Sequence, residues 1–172
     1  MTQTNSNETD SVTNRSEIIF FYDAVNANPN GNPLSAENRP RVDSETQQAI
    51  VTDVRLKRYL RDQLDADGHG ILVRKPGDDE PHQTREQLLA DRIKELDLDE
   101  LLEDEDVTEQ EIRDEVFGDF LANSADVRYF GATMAVDTDH EVGKYLPNNF
   151  TGPVQFSPGR SLNKVSINEN YN

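Results

Sequence analysis

A chain of 172 residues with 34% apolar side chains and a formal charge of −17 has room for one domain of ordinary size, with part of its length too polar to join a core. It has no cysteine, which excludes a disulfide framework and a thiolate zinc site, and no apolar run approaches the length of a membrane span. Acidic side chains outnumber basic ones 34 to 17, as an acidic interaction surface or adaptation to a salty cytoplasm would require; the spread of acid over tail, loops and helices favours salt adaptation.

In chain order, residues 1–16 are rich in Thr, Asn and Ser and lack the apolar run of a signal peptide, so they read as a disordered polar tail on a soluble, cytoplasmic protein. Glu17 to Val25, EIIFFYDAV, has the β-branched and aromatic density of a first strand buried on both faces over part of its length. The following NANPNGNP, 26–33, is a turn-rich loop, because Pro and Gly bar helix and central strand. A helix capped by Thr52 or Asp53 runs to about Leu64 and is stopped at Asp67-Gly68. Its wheel puts Leu56, Tyr59, Leu60 and Leu64 in the buried stripe, Lys57 and Arg61 beside it, and Arg55 and Arg58 on the far face.

Ile71 to Arg74 reads as a short strand. Arg85 to Leu102 and Thr108 to Phe120 are helical in pattern, and Glu109 and Glu111 suit the positive end of the second helix dipole. Together they form an acidic helical insertion. Asp126 to Val136 and Gly152 to Val165 read as further strands, the second interrupted at Pro158-Gly159. The predicted organisation is a tail (1–16), a first α+β half (17–75), the insertion (76–120) and further strands (121–172). About 110 to 130 residues are expected to be ordered.

Charge is distributed unevenly along this order. Residues 39–75 carry eight basic and six acidic side chains, whereas 78–119 carry four and eighteen. A basic segment retained inside so acidic a chain points to a polyanion, with Arg55, Lys57, Arg58 and Arg61 on one helix as its centre. In high salt, counterion release is weak and stacking and hydrogen bonds must hold RNA; Arg supplies both. The alternative for such a helix is a solvated face. The long Asn/Pro/Gly loop is either a connection or a binding loop whose amides meet phosphates and base edges.

For catalysis, Asp126, Asp137, Asp139, His140 and Glu141 are the best cluster, with donors suited to a hard divalent ion. VDTDHEVGK also reads as an ordinary polar loop, and no metal site is assigned to it. The acidic stretch LDLDELLEDEDVTEQEI lacks the central glycine of a calcium loop, and no phosphate-binding glycine loop, nucleophile elbow or zinc-protease helix motif occurs. No catalytic residue is assigned, and no cofactor.

Five motifs then coincide in order: YD-NANPNGNP (22–33), RPRVD (39–43), VTDVRLKRYLR (51–61), DVRYFGATMA (126–135) and GPVQFSPGRSLNKV (152–165). The chain resembles the RAMP-superfamily backbone subunit of the type I CRISPR complex Cascade, the seventh Cas family, most closely type I-B members from salt-loving archaea. The resemblance implies an α+β fold, a modified RNA-recognition-motif (ferredoxin-like) palm with the acidic helical lobe inserted, and a non-catalytic role in antiviral defence. It implies crRNA as partner, target DNA paired through that crRNA, other Cascade subunits, and self-association into a filament. It suggests Lys57, Arg58 and Arg61 as RNA-backbone ligands, with Arg41, Asn28 and Asn30 near the same groove. Family members are about twice this length, so an incomplete sheet and a C-terminal truncation are expected. Because related type III subunits cleave RNA, a metal-dependent endoribonuclease is the alternative.

Overall fold

Three threonines in extended backbone start the long helices, each accepting through its hydroxyl the amide three residues ahead: Thr52 from Arg55, Thr84 from Gln87 and Thr108 from Glu111. At Thr84 and Thr108 the reciprocal bond from the third side chain completes a capping box. The computed structural model describes residues 13–25, 27–30, 39–74, 81, 83–102, 108–135 and 141–166. The helices are α1 (Asp53–Ala66), α2 (Arg85–Glu95), α3 (Glu109–Asn123) and α4 (Ala125–Phe130), with 3₁₀ turns at Leu98–Leu102 and Glu141–Tyr145.

Strands β1 (Arg41–Val42), β2 (Gln48–Val51) and β5 (Gly159–Lys164) form one antiparallel sheet in the order β1-β2-β5. A register irregularity lies between Gln48 and Ile50. Strands β3 (Ala132–Thr133) and β4 (Asn149–Phe150) pair separately, Ala132 facing Phe150. The whole is an α+β arrangement of helices and small antiparallel sheets. Among the described residues, no helix is long and apolar enough to cross a membrane.

The main core is helical. Leu89 and Ile93 of α2, Ile112, Val116 and Phe120 of α3, and Val127 of α4 pack with Leu72, Met134, Val142 and Leu146. Burying each such large aliphatic or aromatic side chain contributes about 1.5–3 kcal/mol. The core crosses the predicted boundaries at 76 and 120. The acidic helices and the segments around them therefore share one apolar centre.

Helix α1 starts and stops where the sequence places it: Thr52 caps it, Asp67 closes it and Gly68 takes φ +84°. Its buried stripe is narrower than the wheel predicts. Leu56 is buried, but Tyr59 and Leu60 are exposed. The helical pattern to Leu102 divides, since Asp97 at φ +51° separates α2 from the 3₁₀ turn.

Four strand expectations change. Glu17–Val25 is exposed with no strand pairing, Ile18 being 85% and Ile19 82% accessible; among the described residues no strand pairs with it to supply the ladder that stabilises a strand. Ile71–Arg74 is not a strand, because the amides of Leu72 and Val73 are claimed by the Asp126 carboxylate. Asp126–Phe130 is helical. The α4 turn closes on the Ser124 carbonyl, and Gly131 at φ +79° then turns the chain into β3. A side chain at Gly131 would strike the Phe150 carbonyl, so only glycine admits the 152 segment this closely. In 152–165 the strand begins only at Gly159, directly after Pro158, as the predicted break allows. The predicted tail up to residue 12 and the C-terminal residues 167–172 lie outside the described residues.

Candidate nucleic-acid interface

The N-terminus of α1 is a meeting point of loop, sheet and helix. Strand β2 feeds directly into Thr52, and Asn30 Oδ1 accepts from both the Thr52 amide, at 3.0 Å, and its hydroxyl, at 3.3 Å. Asn28 Oδ1 accepts from the Asn30 amide at 3.1 Å, which curls the loop, and the Tyr59 hydroxyl donates to the Pro29 carbonyl at 2.6 Å. The described part of the Asn/Pro loop is thus fastened to α1. Residues 26 and 31–33 of the loop lie outside the described residues.

An aromatic strip leads away from this junction. The Arg55 guanidinium lies 5.2 Å from the centre of the Tyr59 ring. Burial first, and then the charge of the Tyr59 phenol, push the Tyr22 hydroxyl above its ordinary pKa. Phe20 stacks on Tyr22 with centroids 6.3 Å apart, and Phe156 meets Phe20 and Phe130 edge-on at 6.4 and 6.0 Å. Arg61 ends the strip, 5.2 Å over the Phe130 ring. Tyr59, Tyr22 and Phe20 remain 42%, 49% and 52% exposed, an accessible run of ring faces.

The basic residues singled out from sequence are more occupied than their charge suggests. Lys57 pairs with Asp53 at 3.5 Å. Arg58 binds Asp62 and donates to the Val73 carbonyl at 3.1 Å. Arg61 donates to Asp126 at 2.9 Å and is only 15% exposed. Arg41 is exposed on β1, opposite Ile50 and hence one strand from the start of α1. Asn28, Asn30 and Arg41 therefore gather near the head of α1, while Arg58 and Arg61 reach toward the 71–74 segment.

Asp126 is fully buried and accepts from Leu72 N at 2.8 Å, Val73 N at 3.1 Å and Arg61 Nε, so its two oxygens are engaged in holding chain segments together. Its proposed metal-ligand neighbours Asp137, Asp139 and His140 lie outside the described residues. Among the described residues, no group of three or more His, Cys, Asp or Glu side chains is arranged to hold a metal ion.

The sequence reading missed the aromatic strip. Phe20 and Tyr22 were assigned to a buried strand and Tyr59 to a buried stripe, so their accessibility was hidden. The available signal was an aromatic in four of the five motifs (Tyr22, Tyr59, Phe130 and Phe156), joined by an arginine in three of them (Arg55, Arg128 and Arg160).

Comparison with known proteins decides the relationship. The family model described as CRISPR-associated protein Cas7 matches residues 14–172. This chain belongs to the Cas7 family. It is 48% identical over 168 residues to the CRISPR-associated protein Cas7 of Haloferax volcanii, a match covering 92% of this chain and 46% of that relative. The chain therefore spans about half the length of the curated Cas7 protein it matches. All five motifs recognised in the sequence fall inside the matched region, and the haloarchaeal relative accords with the acidic composition.

Proposed function

We propose that this Cas7 chain binds CRISPR RNA as a non-catalytic backbone element of a type I, I-B-like Cascade complex in the cytoplasm, holding guide RNA for pairing with target DNA. The observation that carries the proposal is the exposed aromatic strip from Tyr59 through Tyr22 and Phe20, flanked by Arg55 and Arg61. Ring faces accept any base by stacking, which suits a subunit that leaves sequence to base pairing. The fine reading of the fold as an RNA-recognition-motif palm, and assembly with other Cascade subunits and further copies into a filament, belong to the same proposal.

In this reading Lys57, Arg58 and Arg41 meet phosphates beside the strip. The Lys57–Asp53 pair and the Arg58–Asp62 pair are local i,i+4 bridges, each worth at most about 1 kcal/mol, so a phosphate readily displaces the carboxylate. Arg61 acts through Phe130, whose ring it backs while anchored to Asp126. Asn30 holds the loop on α1 through its side-chain oxygen, Asn28 curls the loop by accepting from the Asn30 amide, and the loop so fixed lies beside the RNA.

Fluorescence anisotropy of the chain with spacer RNA in potassium chloride tests this. Tyr22→Ala with Tyr59→Ala should weaken binding of all RNA sequences alike, by roughly 1–3 kcal/mol for each base that loses its ring. Magnesium or manganese should produce no cleavage of the bound RNA. Undiminished affinity of the double variant, with its fold intact by circular dichroism, would remove the strip from the interface.

A further inference from the structure

A second basic feature borders the 71–74 segment at Arg74, and none of the strip's rings lines it. The end of α1 and its exit (Gly68, His69, Gly70), α2 and the α3–α4 junction enclose a cleft of about 450 Å³ whose charged lining is Arg74, Arg92, Arg128 and Glu95. Three guanidiniums face one carboxylate in a chain where acids outnumber bases two to one. Nothing in the strip accounts for this excess.

The cleft is built rather than incidental. Arg92 is 5% exposed and locked by three bonds: Nε to Ser124 Oγ at 3.1 Å, Nη1 to Glu95 at 2.6 Å, and Nη2 to the Asn123 carbonyl. Gly70 is the condition for that placement, since a Cβ there would collide with the Arg92 guanidinium and the Asn123 carbonyl. Its own carbonyl accepts the Ala125 amide at 2.8 Å, tying the α1 exit to α4. Arg128 spends one donor on the Ala122 carbonyl at 3.0 Å and lies over the Tyr129 ring, 5.2 Å from its centre; among the described residues no carboxylate pairs with it. Arg74 is 45% exposed and reaches Glu95 at 3.3 Å and Asp65 at 4.0 Å. Glu95 is thus shared by two guanidiniums; although burial pushes its carboxyl up, they hold it below the ordinary pKa.

We infer that this cleft is a phosphate-binding site, with Arg74 and Arg128 as the ligands that close on the phosphoryl oxygens and Arg92 as the fixed charge behind them. Guanidinium forks match phosphate geometry bidentately, and the net positive wall suits an anionic phosphoryl group. Swinging Arg74 from Glu95 and Asp65 to the phosphate breaks two exposed ion pairs, which are weak. The phosphate is either a terminal monoester or a backbone diester of RNA, and the inference stands independently of the aromatic strip.

The test uses the chain with inorganic phosphate, followed by thermal unfolding and by chemical-shift changes of the arginine Nε–H groups. Inorganic phosphate should raise the midpoint in a saturable way, and Arg74→Ala with Arg128→Ala should lower its affinity at least about tenfold, the equivalent of about 1.4 kcal/mol. Tyr22→Ala with Tyr59→Ala should leave phosphate binding unchanged, which separates this site from the proposed RNA strip. RNA with a 5′-phosphate binding more tightly than its 5′-hydroxyl counterpart, and only while Arg74 and Arg128 are present, would identify the monoester; equal arginine-dependent binding would identify the diester. No saturable response to phosphate, or one that survives the double arginine substitution in a folded chain, would overturn the inference.

Discussion

At the scale of single residues, the most consequential side chain is one the sequence reading placed among metal-ligand candidates. Asp126 ties three segments together: α4, which carries it; the 71–73 backbone, whose amides it accepts; and α1, through Arg61. A buried carboxylate with three donors is tolerable because its lone pairs are filled, and removing the charge strands the donors. Asp126→Asn keeps the shape but offers an amide N–H group where acceptors are needed. It should destabilise the chain by about 3–5 kcal/mol in urea unfolding. Arg61→Ala should cost less, because the two backbone amides still satisfy the carboxylate. Equal stability of Asp126→Asn and the parent would refute the strapping role. Sequence alone could mark Asp126 as special but not say how, since its partners lie 53 to 65 positions away.

At the scale of elements, legibility followed how local the signals were. The three long helices were found from 3.6-residue periodicity, a cap at Thr52 or Asp53 for α1 and an acidic first turn for α3, information held within a few residues. The β1–β2 hairpin was missed because its turn carries no Asn-Gly or Asp-Gly pair; Gln47 adopts φ +60° instead, held by its amide bond to the Asp43 carbonyl. Ile71–Arg74 and Asp126–Phe130 look like strands by composition, and Asp126 overrides both through tertiary bonds. Asp43 anchors the hairpin turn. The Thr46 amide first, then Arg160 and the Glu45 amide, lower its carboxyl from 3.8 to about 2. Since the folded pKa is depressed, the turn's stabilisation is present above about pH 4 and is lost as pH falls through about 2. A carbon-detected titration of Asp43 should show this low midpoint, and Arg160→Ala should raise it only in part because the Thr46 amide remains. A midpoint near 4 in the parent chain would contradict the turn geometry.

At the scale of the molecule, the acidic helices supply much of the apolar core. Residues 78–119 hold eighteen acidic and four basic side chains, yet Leu89, Ile93, Ile112 and Val116 from this stretch form the core with Phe120, Leu72, Val127 and Val142. Composition exposed the charge imbalance but hid the packing, because the apolar positions are diluted among carboxylates. Burial must therefore work against self-repulsion, which salt screens: the Debye length shrinks from about 10 Å at 0.1 M to about 3 Å at 1 M. With a net charge of −17, the thermal midpoint should rise steeply as potassium chloride is raised from about 0.1 to 1 M, the range over which that screening length falls. The repulsion is concentrated on α2, α3 and the chain between them, so a Glu→Gln change at exposed Glu115, beyond the first turn of α3, should raise the low-salt midpoint and flatten its salt dependence. Differential scanning fluorimetry across that range measures both. A midpoint indifferent to salt in the parent chain would mean that the carboxylates do not repel one another across the core, and that the acidic composition serves a contact surface instead.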